Sequence, residues 1–168
     1  AVTEARMGTL TATSRASGQL SPIRSVYITA KVPGKVVAVH KQMGDPVQEG
    51  DLLVELDDKD LASQLAAAEA QFTQAQAQRN EVARQASRLE ALLEQGAVSQ
   101  QQAEQIRTQL TLANAQVEAA RAQLDLATSS YEGARITAPA DGVLAARYVE
   151  PGAMVGAGTA LFQLVDLS

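Results

Sequence analysis

The sequence predicts an α+β protein in which one small β domain is split in two by a long antiparallel helical hairpin. Three observations carry that expectation. Residues 57–133 place apolar side chains in alternating steps of four and three, the period of packed helices. The stretches on either side, 27–57 and 135–168, are short β-prone runs broken by Gly, Pro and Asp turns. These two stretches also repeat one another at an offset of 108 residues, as two copies of one structural unit would.

The first helical seam runs Leu61, Leu65, Ala68, Phe72, Ala75, Arg79, Val82, Ala86, Leu89 and Leu93. The second runs Ala103, Ile106, Leu110, Ala113, Val117, Ala120, Leu124, Ala127 and Tyr131. A 3.5-residue spacing of this kind is the signature of left-handed coiled-coil packing. Arg79 is the one misfit. It either fixes the register as a lone polar seam residue or sends its charge outward along its aliphatic stem, and the second reading is preferred. No proline falls between Pro46 and Pro139, and Ala, Gln, Glu, Leu and Arg all favour helix. The first helix is expected to span about 38 residues, or about 57 Å.

The helix ends are marked as well. Asp57 or Asp58 is placed to cap the first helix, and Asp60 suits its positive end. Gly96 is placed to stop it in the left-handed conformation. Ser99-Gln100-Gln101-Gln102 is a capping box for the second helix, with Val98 and Ala103 as a weak hydrophobic staple. Gly133 ends that helix, and Pro139 bars its return. The loop at 96–99 is so short that the helices must be antiparallel neighbours.

In the repeat, Ile28-Thr29-Ala30 corresponds to Ile136-Thr137-Ala138, and Gly34, Ala38 and Gly44 to Gly142, Ala146 and Gly152. Val47, Gly50, Leu53, Leu56 and Asp58 correspond to Val155, Gly158, Leu161, Leu164 and Asp166, so 11 of 31 aligned positions are identical. Two such units would bury a shared apolar face, and the glycines would supply turns of positive φ.

Composition narrows the function. A net charge of −5 argues against nucleic acid, which attracts a basic stripe. The absence of cysteine suits a compartment where free thiols are a liability. No run of 18 apolar residues is present, so no segment of this sequence reads as a membrane span. Residues 1–22 alternate loosely, with turns at Gly8, Gly18 and Pro22, and read as strands of a further β domain.

The motifs within the doubled unit resemble a known family. Gly44-Asp45-Pro46-Val47-Gln48-Glu49-Gly50-Asp51-Leu52 and Ala138-Pro139-Ala140-Asp141-Gly142 look like the two halves of a biotinyl/lipoyl-like β-sandwich. A lipoyl half, a helical hairpin and a second lipoyl half resemble the HlyD-type periplasmic adaptor (membrane fusion) proteins of tripartite efflux pumps. The resemblance covers about residues 26–168. It implies strands of a largely absent β-barrel domain in 1–26, a first lipoyl-like half in 27–57, a hairpin in 58–134 with its tip at 96–99, and a second half in 135–168. It further implies a periplasmic location, with attachment to the inner membrane through a segment outside this sequence.

In adaptors of this family that engage a TolC-type outer-membrane channel, the tip resembles Arg-x-x-x-Leu-x-x-x-x-x-x-Ser, a spacing that Arg88, Leu92 and Ser99 fit. With Leu89 and Leu93 in the seam, Arg88 and Leu92 fall outside it, one turn apart. An exposed leucine beside an arginine suits an interface. Ser99 reads equally as a plain N-cap. The resemblance implies two partners, an inner-membrane RND (resistance-nodulation-division) or ABC transporter, with RND preferred, and the outer-membrane channel. It also implies a homo-oligomer, usually a hexamer, and no cofactor.

The rival readings are weaker. An ABC-exporter adaptor without an outer-membrane channel would share the fold. A lipoyl or biotinyl carrier would use Lys59, but its acceptor lysine must top a tight hairpin, and helices replace that hairpin here. An enzyme has little to work with. His40 is the only histidine, with no cysteine or acid cluster near it in sequence, and no metal or catalytic set is expected. Met7, Met43 and Met154 follow no ligand spacing and read as packing residues.

Overall fold

A computed structural model describes residues 24–166. The elements in order are β1 (Arg24–Thr29), β2 (Gly34–Val39), β3 (Pro46–Val47), β4 (Leu52–Leu56), α1 (Lys59–Glu94), α2 (Gln100–Glu132), β5 (Arg135–Thr137), β6 (Gly142–Arg147), β7 (Met154–Val155) and β8 (Ala160–Asp166). Mixed sheet and helix therefore stand as expected. β1 begins at Arg24 and pairs antiparallel with β8 from Arg24↔Asp166 onward. Residues 24–26, expected to lie with a separate β domain, are thus strand of the sandwich. The strands expected within 1–22 lie outside the described residues.

Two four-stranded sheets form the β domain, ordered β1-β8-β6-β3 and β5-β4-β2-β7. At the 108-residue offset β1, β2, β3 and β4 correspond to β5, β6, β7 and β8, so the second order is the first rewritten. Each sheet takes two strands from each half of the sequence, and the halves interlock rather than sit side by side. The connecting hydrogen bonds repeat with the same offset. Gly44 N–H donates to Leu144 C=O at 2.7 Å, and Gly152 N–H to Val36 C=O at 2.8 Å. Gly50 N–H donates to Ala138 C=O at 2.9 Å, and Gly158 N–H to Ala30 C=O at 2.8 Å. In all four, a turn of one half is held by a carbonyl within or just past a strand of the other.

Alternation along the strands turns one set of side chains inward. Phe162, Leu53, Leu144 and Leu161 are 0% exposed at the centre, with Val36, Val54, Ile28, Ile136, Leu56 and Leu164 around them. Each large side chain fully removed from water contributes about 1.5–3 kcal/mol. The repeat glycines divide into two kinds. Gly44, Gly50, Gly152 and Gly158 take positive φ, as their turns demand. Gly34 and Gly142 do not, against expectation, and are held by space: a Cβ on Gly142 would lie 2.6 Å from Val165 O.

α1 has 36 residues and α2 has 33, so α1 is about 54 Å long. The two lie antiparallel. Arg107 Nε donates to Glu90 Oε1 at 3.0 Å near the turn, and Arg79 Nε to Asn114 Oδ1 at 3.1 Å further back. Their mutual contact buries Ala68, Ala75 and Ala86 on α1, and Ala103, Ile106, Ala113 and Ala127 on α2. Every seam position named above is buried or half-buried except Arg79, which is exposed. Its guanidinium turns out to solvent yet still bonds across the pair. At the start of α1, Asp58 occupies the N-cap but makes no side-chain cap bond. Asp57 takes that part, its Oδ1 accepting from Lys59 N–H at 3.3 Å.

Candidate docking tip

The turn between the helices is built from its glycine outward. Gly96 has φ +71°, a conformation that costs a residue bearing a Cβ about 1–2 kcal/mol. Ala97 N–H then donates to Leu92 C=O and Gly96 N–H to Leu93 C=O, each at 2.9 Å. This double closure satisfies carbonyls that the end of α1 would leave free. Three residues later the chain enters α2 through Ser99. Its Oγ accepts from Gln102 N–H at 3.3 Å, while Gln102 Oε1 accepts from Ser99 N–H at 3.1 Å. The capping box is present in both directions.

This geometry brings the three candidate residues to one end of the molecule. Arg88 and Leu92 lie in the last two turns of α1, four residues apart and therefore on one face. Both are exposed, Leu92 at 39%. Ser99 is exposed as well, but its hydroxyl is already engaged with Gln102. Among the described residues Arg88 has no carboxylate within ion-pair distance. Nearby, Arg84 and Gln85 donate to Glu81, which holds the Glu81 carboxyl below its usual range. The end of the pair thus offers one unpaired guanidinium, one exposed leucine and a rigid turn.

The other residues considered above take ordinary places. Lys59 is exposed in the first position of α1. His40 Nε2 lies 3.4 Å from Glu55 Oε2 at the surface, an acidic neighbour invisible in the local sequence because it comes from β4. Met43 and Met154 are 68% and 77% exposed, so they are not the packing residues they were expected to be. Met7 lies outside the described residues. No helix among the described residues is long and apolar enough to cross a membrane. The cross-helix bonds Arg79–Asn114 and Arg107–Glu90 went unread in the sequence. Their spacing shows only once the turn has set which residues of the two helices stand level.

Comparison with known proteins places this architecture. The Multidrug resistance protein MdtA of Yersinia enterocolitica is 30% identical over 142 residues, which is 84% of this chain and 32% of that protein. The chain therefore spans about a third of the length of the curated relatives it matches. A MacA-MexA chimeric protein containing the Pseudomonas aeruginosa MexA alpha-hairpin domain superposes with a TM-score of 0.59 at 30% identity, over 88% of this chain and 48% of that one. ZneB from Cupriavidus metallidurans shares the fold, with a TM-score of 0.62 at 24% identity over 88% of this chain and 62% of its own. A family model described as RND MFP, barrel-sandwich hybrid domain, matches residues 24–167. The chain belongs to the RND membrane fusion protein family, the periplasmic adaptors of efflux pumps, through its barrel-sandwich hybrid domain.

Proposed function

We propose that this chain couples an inner-membrane transporter of the RND class to a TolC-type outer-membrane channel, so that exported small molecules cross between them in a sealed conduit. In this reading the contribution is structural. The sandwich is the lipoyl-like body of an adaptor, and α1 and α2 form its coiled-coil α-hairpin. Copies stand side by side in a ring, six in number if the usual form of the family holds. Arg88, Leu92 and Ser99 meet the channel: the leucine as an apolar anchor, the arginine as a hydrogen-bond donor, and the serine as the cap that holds the turn in shape.

The observation that carries this reading is Leu92, a leucine left exposed in the last turn of α1 beside an unpaired Arg88, at the end of the helices remote from the sandwich. Arginine is enriched at the energetic centres of interfaces, and the exposed leucine beside it offers apolar surface to bury. The family match supports the RND class over an ABC exporter.

A photo-crosslinking residue at position 92, in intact cells that make the protein, tests the proposal. Capture of an outer-membrane channel, lost when Arg88→Ala is added, is the expected result. Capture of nothing but further copies of this chain would remove the channel from the proposal and leave an ABC adaptor without a channel as the better reading.

A further inference from the structure

The two sheets of the sandwich end on four edge strands, and three of these are blunt. β3 and β7 are two residues long, and β5 is three. β1 is six residues long and runs Arg24-Ser25-Val26-Tyr27-Ile28-Thr29, with neither proline nor lysine inside it. Folded sheets usually protect such an edge with charge, proline or a cover. β1 pairs with β8 on one side only, and its single register shift falls at Ile28/Thr29, near its end. Along the free side, every second residue therefore turns an unpaired N–H and C=O away from the sheet.

That free side borders a cleft of about 310 Å³, and β5, the edge of the other sheet, forms the opposite wall. β1 and β5 correspond at the 108-residue offset, so the cleft lies between counterparts. Ile28 and Ile136, the same residue in both halves, form its floor at 6% and 5% exposed. Departures from the repeat supply its chemistry. Arg135 stands where the first half has Tyr27, and Lys31 where the second half has Pro139. Arg135 and Lys31 both line the cleft and both are exposed. Among the described residues neither has a carboxylate within 4.0 Å. Glu132 borders the neighbouring hollow at the base of the helices, but no acidic residue lines this cleft. On a chain of net charge −5 it is a local positive site. Val26 and Tyr27 add apolar surface at its rim, half in water at 50% and 56% exposed.

We infer that β1 takes up an extended, acidic segment of another protein as an added strand along its free edge. The unpaired backbone groups of β1 supply the ladder, the mode in which an exposed sheet edge binds a peptide. Every second side chain of the added strand faces the cleft, where Lys31 and Arg135 select carboxylates. Val26 and Tyr27 give apolar residues of the segment a surface to bury. Residues 1–22 of this chain are a poor match in charge, since Arg6 and Arg15 against Glu4 leave them at +1. The inference concerns the sandwich alone and is independent of what the tip at Leu92 meets.

The test adds a short peptide of alternating glutamate and valine, blocked at both ends, to the isotope-labelled chain. Amide signals of residues 26–29 and 135–137 should shift. The outward amides of β1, quick to exchange in the chain alone, should slow when the peptide is bound. Lys31→Glu combined with Arg135→Glu, both at exposed positions, should weaken binding about tenfold. Equal binding of a peptide with lysine in place of glutamate would overturn the inference. So would equal binding of a peptide methylated at every amide nitrogen, which cannot form the ladder, or an absence of shifts at millimolar peptide. Outward β1 amides already protected in the chain alone would assign the edge to residues 1–22 or to a second copy, and would overturn it too.

Discussion

The sandwich and the helix pair use apolar side chains in opposite ways. In the sandwich, large residues converge: Phe162, Leu53, Leu144 and Leu161 are wholly buried. In the pair, the side chains that reach full burial are mostly alanines, while Leu65, Phe72, Leu89 and Leu93 stay half-buried. Geometry accounts for the contrast. Two sheets enclose a volume, whereas two helices meet along one line, where mostly small side chains become buried. Stability is therefore concentrated at the β end. The pair is aligned by close alanine contact and by the bonds Arg79–Asn114 and Arg107–Glu90, and its outer faces stay open to other proteins.

The sharpest way to break this contrast uses its two phenylalanines. Phe162→Ala should cost about 3–5 kcal/mol of unfolding free energy. Phe72→Ala, already half in water, should cost only about 1–2 kcal/mol. Equal shifts in denaturant midpoint would show that the pair carries as much of the core as the sandwich. Next in size is overpacking of the alanine seam. Ala103 is 0% exposed, and Ala103→Leu should cost about 1–3 kcal/mol. Hydrogen exchange should confine that loss to the turns near Gly96 and leave the strands protected.

The smallest effect compares the two halves of the sandwich. Asp51 Oδ2 accepts from Gln48 N–H at 3.2 Å and from Lys41 Nζ at 3.1 Å. The backbone bond first, then Lys41, holds its pKa below the ordinary value. A depressed carboxylate stabilises the fold above its unfolded pKa, and the stabilisation is lost as pH falls through the lower folded value. Its counterpart Thr159 accepts the equivalent bond from Gly156 N–H at 3.2 Å with no titrating group. Asp51→Thr should therefore flatten the acid limb of stability as pH falls below the ordinary carboxylate range. An unchanged denaturant midpoint across that range would show that Asp51 contributes nothing to it.

Much of this was legible in the residues because it is local. The seams, the glycine stop at Gly96 and the capping box at Ser99 need only a few neighbouring positions. The repeat was legible because it preserves turn glycines. What escaped depends on contacts between distant segments. Gly34 and Gly142 were read as turn glycines, but Leu56 and Val165 crowd them from other strands.

The insertion leaves and rejoins the sandwich at one spot: Leu56 N–H donates to Ala134 C=O at 2.9 Å. For a folding chain this sets an order of events. Contacts between α1 and α2 begin with residues close in sequence around Gly96 and can zip outward, which is the fast kind of folding. The completed pair brings Asp57 and Ala134 together, so the two halves of the β domain meet as though a short loop joined them. Without it they would have to find each other across a flexible tether, with a closure cost that grows with its length. Helices first and sheets second is thus the expected order, and a fault in the turn at Gly96 should be felt as slower closure of a β domain about 50 Å away.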